Sequence, residues 1–236
     1  MKLRWLALSS TVALAPPAAA QSPTVLGRED AAFARGLYRH NWADLAEKLC
    51  DLIEKRGNLT PEANVGVKAL HLDLRLDLAG KEPDLIKRKD LIRQILEQKE
   101  DLVHQYPAMK EAQEAANTLP DAYRTLGETI TMAIQKEKDV KKVAALQGEG
   151  QQIYSKAEDQ LRAQMEELEQ DHSAPEQERQ YMIALYNLPR TLYFHSLLYP
   201  AGEWKKKDLL EKAAVGFQQF GLAYNDRILY FEGLIY

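Results

Sequence analysis

Apolar residues recur at three- and four-residue steps along nearly the whole chain after Gly27, and no other feature limits the fold as strongly. This spacing is the period of an α-helix, whereas a half-buried strand alternates apolar and polar residues. No stretch after Gly27 sustains that alternation with β-branched side chains. The 12 Gly and 10 Pro leave room for long helices, because they make up about 9% of the chain against roughly 12% in average proteins. The sequence therefore predicts an all-α fold.

Turn signals divide this pattern into helix pairs joined by short connections. Thr60 and Pro61, for example, supply an N-cap side chain and a first-turn proline for the helix that follows them. No linker rich in Pro, Gly or Ser follows residue 27, so the pairs are expected to form one continuous domain. The expected pairs are 29–40 with 42–56, 61–79 with 84–105, 108–136 with 139–171, and 176–199 with 203–220.

The proline-free stretch between Pro120 and Pro175 is too long for a single helix. Such a helix would extend roughly 75 Å at about 1.5 Å per residue, and it could not bury its apolar stripe alone. We therefore expect one long helical hairpin within 108–171. Its turn is predicted in the charged run 136–142, with 148–150 as the alternative.

The first twenty residues have the layout of a secretory signal. Lys2 and Arg4 precede an apolar stretch at 5–15, and small residues lead to a cleavage site after Ala20. The apolar stretch of about eleven residues is shorter than the roughly twenty that span a bilayer, so an uncleaved anchor is the weaker alternative. The sequence predicts a cleaved signal at 1–20, a short tail at 21–28 and a helical repeat domain at 29–236. The protein is therefore expected to be exported, periplasmic or secreted, without a membrane span.

The charge of the chain does not favour nucleic acid as a partner. Removing 1–20 takes two of the 31 basic residues and none of the 35 acidic ones, so the net charge falls from −4 to −6. An acidic chain lacks the basic surface that nucleic acid attracts. Three lysines at 205–207, beside Trp204, could form a basic patch, but in this setting they are more typical of a solvated helix face.

Cys50 is the only cysteine, which excludes an intramolecular disulfide framework and a cysteine-rich zinc site. It falls within the apolar rhythm of the helix predicted at 42–56. A cysteine in that position is typically a small buried hydrophobic residue. We therefore predict a buried side chain, and a reactive thiol is the alternative.

A repeat is visible in the aromatic residues. The segments 192–199 (LYFHSLLY) and 229–236 (LYFEGLIY) share five of eight residues at an offset of 37. That offset is the length of one helix–turn–helix unit. Small residues, Ala46 and Ala213, are expected where two helices of a pair meet closely. A tyrosine or tryptophan beside each turn is expected to fill the gap between the helix ends, and the candidates are Tyr38 and Trp42 in the first pair and Tyr199 and Trp204 in the later one. An ordinary helical bundle is the alternative to the repeat.

The motif residues of the first pair are Phe33, Ala34, Leu37, Ala46 and Cys50, and the segment 102–107 (LVHQYP) is similar to the closing segment of a repeat. In these features the chain resembles the tetratricopeptide repeat (TPR) family. The pair at 108–171 departs from the family, because it is nearly twice the normal length. The resemblance implies a right-handed solenoid of stacked antiparallel helix pairs that binds a protein or peptide, without catalysis or a cofactor. Exported proteins of this kind resemble envelope-assembly or peptidoglycan-associated scaffolds.

The chain carries few signals of chemistry. It lacks the glycine-rich nucleotide motifs, the serine-hydrolase motif and the His-Glu-x-x-His zinc motif. Glu169 with His172, and Asp101 with His104, have the Glu-x-x-His spacing of di-metal bundles, with Asp in place of Glu in the second motif. A helical di-metal enzyme is therefore a remote alternative.

Two further groups of residues are expected to lack a catalytic or ligand-binding role. His71, Asp73 and Asp77 are close in sequence, but they do not share a tight helix face, which predicts a solvated surface. Asn58 begins a formal glycosylation sequon that is followed directly by Pro61. No catalytic, cofactor-binding or metal-binding residue is predicted, and the binding face is not assigned.

The sequence thus favours a non-catalytic, exported helical-repeat scaffold that mediates protein–protein interaction in the cell envelope or secreted space. The alternative is a structural protein whose long hairpin at 108–171 self-associates as a coiled coil. Residues 229–236 match only the first helix of a pair, so the repeat domain is predicted to continue beyond Tyr236.

Overall fold

The structure, a computed structural model, describes residues 23–56, 59–170 and 174–224. Within these residues the chain forms nine α-helices and no strand, which confirms the predicted all-α class. The signal at 1–20, the repeat copy at 229–236, Asn58 and His172 lie outside the described residues. The helices are α1 Pro23–Arg39, α2 Ala43–Arg56, α3 Pro61–Gly80, α4 Leu85–Gln105, α5 Lys110–Asn117, α6 Leu119–Lys136, α7 Val140–Gln170, α8 Pro175–Ser196 and α9 Trp204–Ala223.

Local signals fix several helix ends where they were expected. The Thr60 hydroxyl oxygen accepts a hydrogen bond from the Ala63 amide at 3.2 Å, and Pro61 is the first residue of α3. The Asp84 carboxylate accepts from the amides of Ile86 and Lys87 at 2.9 and 3.0 Å at the start of α4. These bonds satisfy amide groups that have no partner inside the helix.

The long hairpin turns between α6 and α7, at residues 137–139, and this confirms the predicted position within 136–142. The alternative at 148–150 is wrong, because those residues lie inside α7. Gly150 has a packing role there: a Cβ atom at this position would lie 2.9 Å from Leu198, which follows the end of α8. Glycine thus lets α7 approach the segment after α8 closely.

Two boundaries differ from the expectation. α1 begins at Pro23, ahead of the predicted start at residue 29, and the predicted helix at 108–136 is divided into α5 and α6. Pro120 explains the division, because proline has no amide hydrogen to bond the carbonyl four residues earlier, and its ring would clash with that carbonyl. The break falls at Thr118, whose hydroxyl donates to the Ala115 carbonyl oxygen at 2.9 Å.

All main helix contacts join helices that are neighbours or next-but-one along the chain. α1 packs on α2 and α3, α6 packs on α7 and α8, and α9 packs on α8. The apolar core is correspondingly divided into separate clusters along the chain rather than gathered in one centre. The N-terminal cluster, formed by α1, α2 and α3, contains Ala34, Ala46, Cys50, Ile53, Val67, Leu70 and Leu74.

The predicted close-contact alanines are buried, but the two tryptophans are not. Ala46 and Ala213 are 0% and 3% exposed, whereas Trp42 and Trp204 are 57% and 73% exposed. The tryptophans therefore do not fill the gap beside the turns, whereas the tyrosines of the same expectation, Tyr38 and Tyr199, are half-buried and pack against the adjacent core clusters. Helix side chains lean toward the N-terminus, so a residue at the start of a helix points past the helix end into solvent. Leu37 is among the smaller side chains that pack on the N-terminal cluster beside the first turn.

Candidate functional site

Three polar residues of α3, singled out in the sequence, contact three different helices. The His71 imidazole lies 3.0 Å from the Glu54 carboxylate of α2, whereas Asp73 pairs with Lys99 of α4, and Asp77 accepts a hydrogen bond from Tyr38 of α1. They do not converge on one site. The expected solvated surface holds only in part: Asp77 is exposed, whereas His71 and Asp73 are half-buried, and each of the three connects α3 to a neighbouring helix.

Cys50 is fully buried in the N-terminal cluster, which confirms its predicted place. Burial, reinforced by Glu54 and other acidic neighbours, raises the pKa of its thiol to about 12. The thiolate is the reactive form of cysteine, so this side chain is chemically quiet at neutral pH.

The lysine run at 205–207 is engaged locally. Lys205 lies 3.8 Å from Asp208, Lys207 lies 3.6 Å from Glu211, and Lys206 donates to the Tyr199 carbonyl oxygen at 3.2 Å. Lys207, the most exposed of the three, thus has an acidic neighbour one turn away on the same helix.

The metal-like motifs are only partly within the described residues. His172 lies outside them, and Asp101 and His104 belong to the last turns of α4. Within the described ranges, no group of three His, Cys, Asp or Glu side chains is arranged to hold a metal ion. None of the described helices combines the length and the apolar character needed to cross a membrane.

Sequence reasoning missed a buried lysine. Lys99 is 1% exposed, and its ammonium group donates to Asp73 of α3 and to the Thr118 hydroxyl between α5 and α6. A buried charge needs such partners, because losing water without compensation is costly. One side chain of α4 thereby fixes the break between α5 and α6 against α3.

A second polar group joins α6, α7 and α8, and we call it the central polar network. It comprises Glu128, Thr131, Tyr154, Glu158 and His195. The Tyr154 hydroxyl lies 3.0 Å from the Thr131 hydroxyl, and the His195 Nδ1 atom lies 2.6 Å from the Glu158 carboxylate. The Tyr154 and His195 rings stack with centroids 5.5 Å apart. Burial raises the pKa of Tyr154 above its ordinary value.

Arginine side chains border this network. Glu128 accepts from Arg124 on its own helix and lies 3.2 Å from Arg190 of α8. Burial alone would lower the pKa of Arg124, but Asp121 and Glu128 outweigh it and raise the pKa. The raised pKa keeps Arg124 ionised, and the contact between Glu128 and Arg190 connects α6 to α8. The sequence contains one weak sign of this network: the polar residue His195 interrupts the apolar run 192–199.

A groove of about 300 Å³ lies where the end of α4 and the start of α6 face the second half of α7. We call it the α4–α7 groove. The Oε1 atom of Gln160, which belongs to the groove wall, is buried and accepts no hydrogen bond from the described part of the chain. Other residues in the wall are Glu100, Val103, His104, Leu119, Pro120 and Glu167.

A second open surface lies on the last described helix. Trp204, Leu210, Phe217 and Leu222 of α9 are exposed, and we call this surface the α9 face. Trp204 and Leu210 border a cavity of about 500 Å³ with Ala214. Exposed apolar side chains grouped around a cavity, as Trp204 and Leu210 are, are typical of contact sites for other proteins.

The described part of the chain therefore contains polar contacts between helices, a groove with acidic groups in its wall and an exposed apolar surface on α9. Comparisons with known proteins add no closer assignment: no protein-family model matches the chain, and neither a curated protein nor a solved structure matches it.

Proposed function

We propose that the protein is a non-catalytic, exported scaffold of the tetratricopeptide-repeat kind, which binds a protein or peptide in the cell envelope or secreted space. Its architecture would be a right-handed solenoid of antiparallel helix pairs. The observation that carries the proposal is the restriction of the main helix contacts to neighbours and next-but-one neighbours. Stacked repeats contact only adjacent repeats, so they require this restriction.

The order of the contacts supports the same proposal. α1 packs on α3, and α6 packs on α8, as the first helices of successive pairs do in a stacked array. The motif residues Ala34, Ala46 and Cys50 are all buried together in the N-terminal cluster. The 37-residue recurrence between 192–199 and 229–236 adds a sequence argument.

The use of buried polar groups favours scaffolding over catalysis. Lys99, Glu128 and His195 each contact a helix other than their own. Groups used in this way hold helices in a fixed arrangement, whereas a catalytic group must face a substrate.

A photocrosslinking experiment tests the proposal. Tyr193 of α8 is 44% exposed, and exposed tyrosine is a frequent anchor in protein interfaces. A photoreactive phenylalanine analogue at this position, in the full chain, should give a reproducible crosslink to one envelope protein of the native host. The matched control carries the analogue at Lys141, an exposed residue near the start of α7. Equal crosslinking from both positions, or none from either, contradicts the proposal.

Self-association is a second candidate function, and the α9 face favours it. The long hairpin is not a free arm, because α7 packs on both α6 and α8 and its residues Tyr154, Ala157 and Leu161 are buried. The exposed apolar residues of α9 are therefore the surface for self-association. Light scattering over a concentration series should then show a dimer that Phe217→Ser weakens. A monomer at every concentration contradicts this candidate.

A further inference from the structure

We propose that residues 228–235 of this chain pack against one side of α9, along a row formed by Ala214, Phe217 and Gly221. We call this row the α9 stripe. The proposal rests on the proposed scaffold function and names the segment that continues its stack of helices. It is supported by the open surface of the α9 stripe and by the contacts of the repeat copy at 192–199.

The α9 stripe is an uncovered side of a helix. Within the described residues the main contacts of α9 are with α8 alone, whereas α7 packs on both α6 and α8. Ala214 is exposed, Phe217 is 38% exposed, and a Cβ atom at Gly221 would meet nothing within 4 Å in the described part of the chain. The three residues fall within about 60° of one another around the helix. A helix normally buries such a row against another element.

The sequence supplies an occupant for the α9 stripe. Residues 229–236, which lie outside the described residues, repeat five of the eight residues of 192–199. In the structure the first copy packs against α7, the helix before α8: a Cβ atom at Gly150 would lie 2.9 Å from Leu198, and the His195 ring stacks on a tyrosine of α7. Because a repeated sequence predicts a repeated contact, the second copy is expected to pack against the helix before it, which is α9.

The contacts of the first copy indicate which side of the segment meets α9. Leu198 and His195 face α7, and the offset of 37 converts them to Ile235 and Glu232. Ile228 is one helical turn before Glu232, so in a helix Ile228 and Ile235 share that side. The side that would face α9 thus has an isoleucine at each end, and the polar residue between them replaces another polar residue of the first copy.

The position of the contact along α9 follows from the distance to the turn. In two antiparallel helices, residues equally far from the connecting turn lie opposite each other. A turn directly after α9 therefore places Ile228 beside Gly221 and Ile235 beside Ala214. The two pairs are consistent, because both members of the second pair are seven residues from those of the first. Small residues of α9 would meet branched aliphatic ones, as in the α7 contact of the first copy.

Other exposed apolar residues of α9 lie on a different side of the helix. Trp204 and Leu222 are about 100° around α9 from the α9 stripe. The segment would leave both uncovered. Covering the α9 stripe therefore does not remove the part of the α9 face that a second copy could contact.

A disulfide crosslink in the full chain tests the packing. Paired cysteines need Cα atoms about 4.4–6.8 Å apart, so the double variant Ala214→Cys/Ile235→Cys should form a disulfide within one chain on mild oxidation. Mass spectrometry after alkylation of free thiols and proteolysis identifies the linked peptides. The native Cys50 is fully buried, so it does not compete for the new thiols.

The matched control is the double variant Val215→Cys/Ile235→Cys. Val215 is the next residue, is 54% exposed and lies about 100° away around α9. Its cysteine should form about tenfold less internal disulfide, because side chains that point apart cannot be bridged without backbone movement. Equal crosslinking of both pairs, or of neither, overturns the inference. A disulfide that joins two chains also overturns it, because the occupant is then a second copy.

The crosslink is independent of partner binding. An internal disulfide at Ala214, without any envelope protein crosslinked from Tyr193, would support the packing and count against the scaffold function alone. A crosslinked envelope protein without the disulfide would count against the packing alone.

Discussion

The N-terminal cluster and the central polar network hold their helices together by different kinds of contact. The N-terminal cluster is apolar throughout, and its alanine and cysteine residues let α1, α2 and α3 approach closely. The central polar network joins α6, α7 and α8 through hydroxyl, carboxylate and imidazole groups that each need one specific partner. Apolar packing tolerates exchange of similar volumes, whereas a buried polar pair fails when either partner is removed.

This difference shows what decides which side chains meet in each region. In the N-terminal cluster, residue size and the helical period decide which side chains meet. In the central polar network, Tyr154 fits only because Gly127 leaves space for its ring, with a Cβ at that position 2.5 Å from the ring. Variants can therefore separate the effect of volume from the effect of a hydrogen bond.

The largest expected effect is in the N-terminal cluster. Ile53→Ala should lower the free energy of unfolding by about 2–5 kcal/mol, because it removes fully buried methyl and methylene groups and leaves a cavity. Chemical denaturation followed by circular dichroism measures the change. Leu52→Ala is the control: Leu52 is the preceding residue and is 61% exposed, so its loss should change stability by no more than about 0.5 kcal/mol. Similar losses of stability in both variants would show that the helix face carrying Ile53 is not the buried face of α2.

Glycine-to-alanine variants test the close approach of α6 and α7. Gly127→Ala should destabilise the protein by about 1–3 kcal/mol, because the new methyl group overlaps the buried Tyr154 ring. Gly148→Ala should instead stabilise it by about 0.5–1 kcal/mol, because nothing lies within 4 Å of a Cβ there and alanine favours the helix. Thermal unfolding of both variants shows whether each substitution raises or lowers the stability of the protein. Stabilisation by both would contradict the contact between Gly127 and Tyr154.

A smaller effect is expected for the hydroxyl group of Tyr154. Tyr154→Phe keeps the ring that stacks on His195 but removes the bond with Thr131, which should cost about 0.5–1.5 kcal/mol. Thr131→Val removes the other partner, so the double variant should lose less than the sum of the two single losses. A double-variant cycle measures this coupling. Strictly additive losses would show that the two hydroxyls contribute independently.

Sequence reasoning succeeded where the cause was local. The start of α3 follows from Thr60 and Pro61, and the turn at 137–139 follows from a run of charged residues. The break at Thr118 was equally local but was missed, because Pro120 was read as the edge of a proline-free stretch instead of the start of a helix. Cys50 was placed correctly from the helical period alone.

The features that the sequence did not predict depend on which helices contact one another. His195 and Glu158 are 37 residues apart, and nothing near either residue predicts their contact. The exposure of Trp42 and Trp204 depends on side-chain direction at helix starts, which an aromatic pattern does not contain. The wall of the α4–α7 groove is formed by residues of four helices, α4 to α7, so it exists only once all four are placed. The buried Gln160 acceptor is visible only in three dimensions.

A further expected effect is a pH dependence that originates in the N-terminal cluster. Burial raises the pKa of the Cys50 thiol from 9.0 to about 12, so the fold favours the protonated thiol. Below the unfolded value both states keep the proton and the thiol adds no pH dependence. Between about pH 9 and pH 12 the unfolded state releases the proton first, so stability falls as the pH rises. Cys50→Ala cannot titrate, and the stability difference between the native chain and this variant should shrink over that window. Buried tyrosines titrate in both proteins, so their contribution cancels in the difference. A difference that stays constant from pH 8 to about pH 12 would show that the thiol is not protected by the N-terminal cluster.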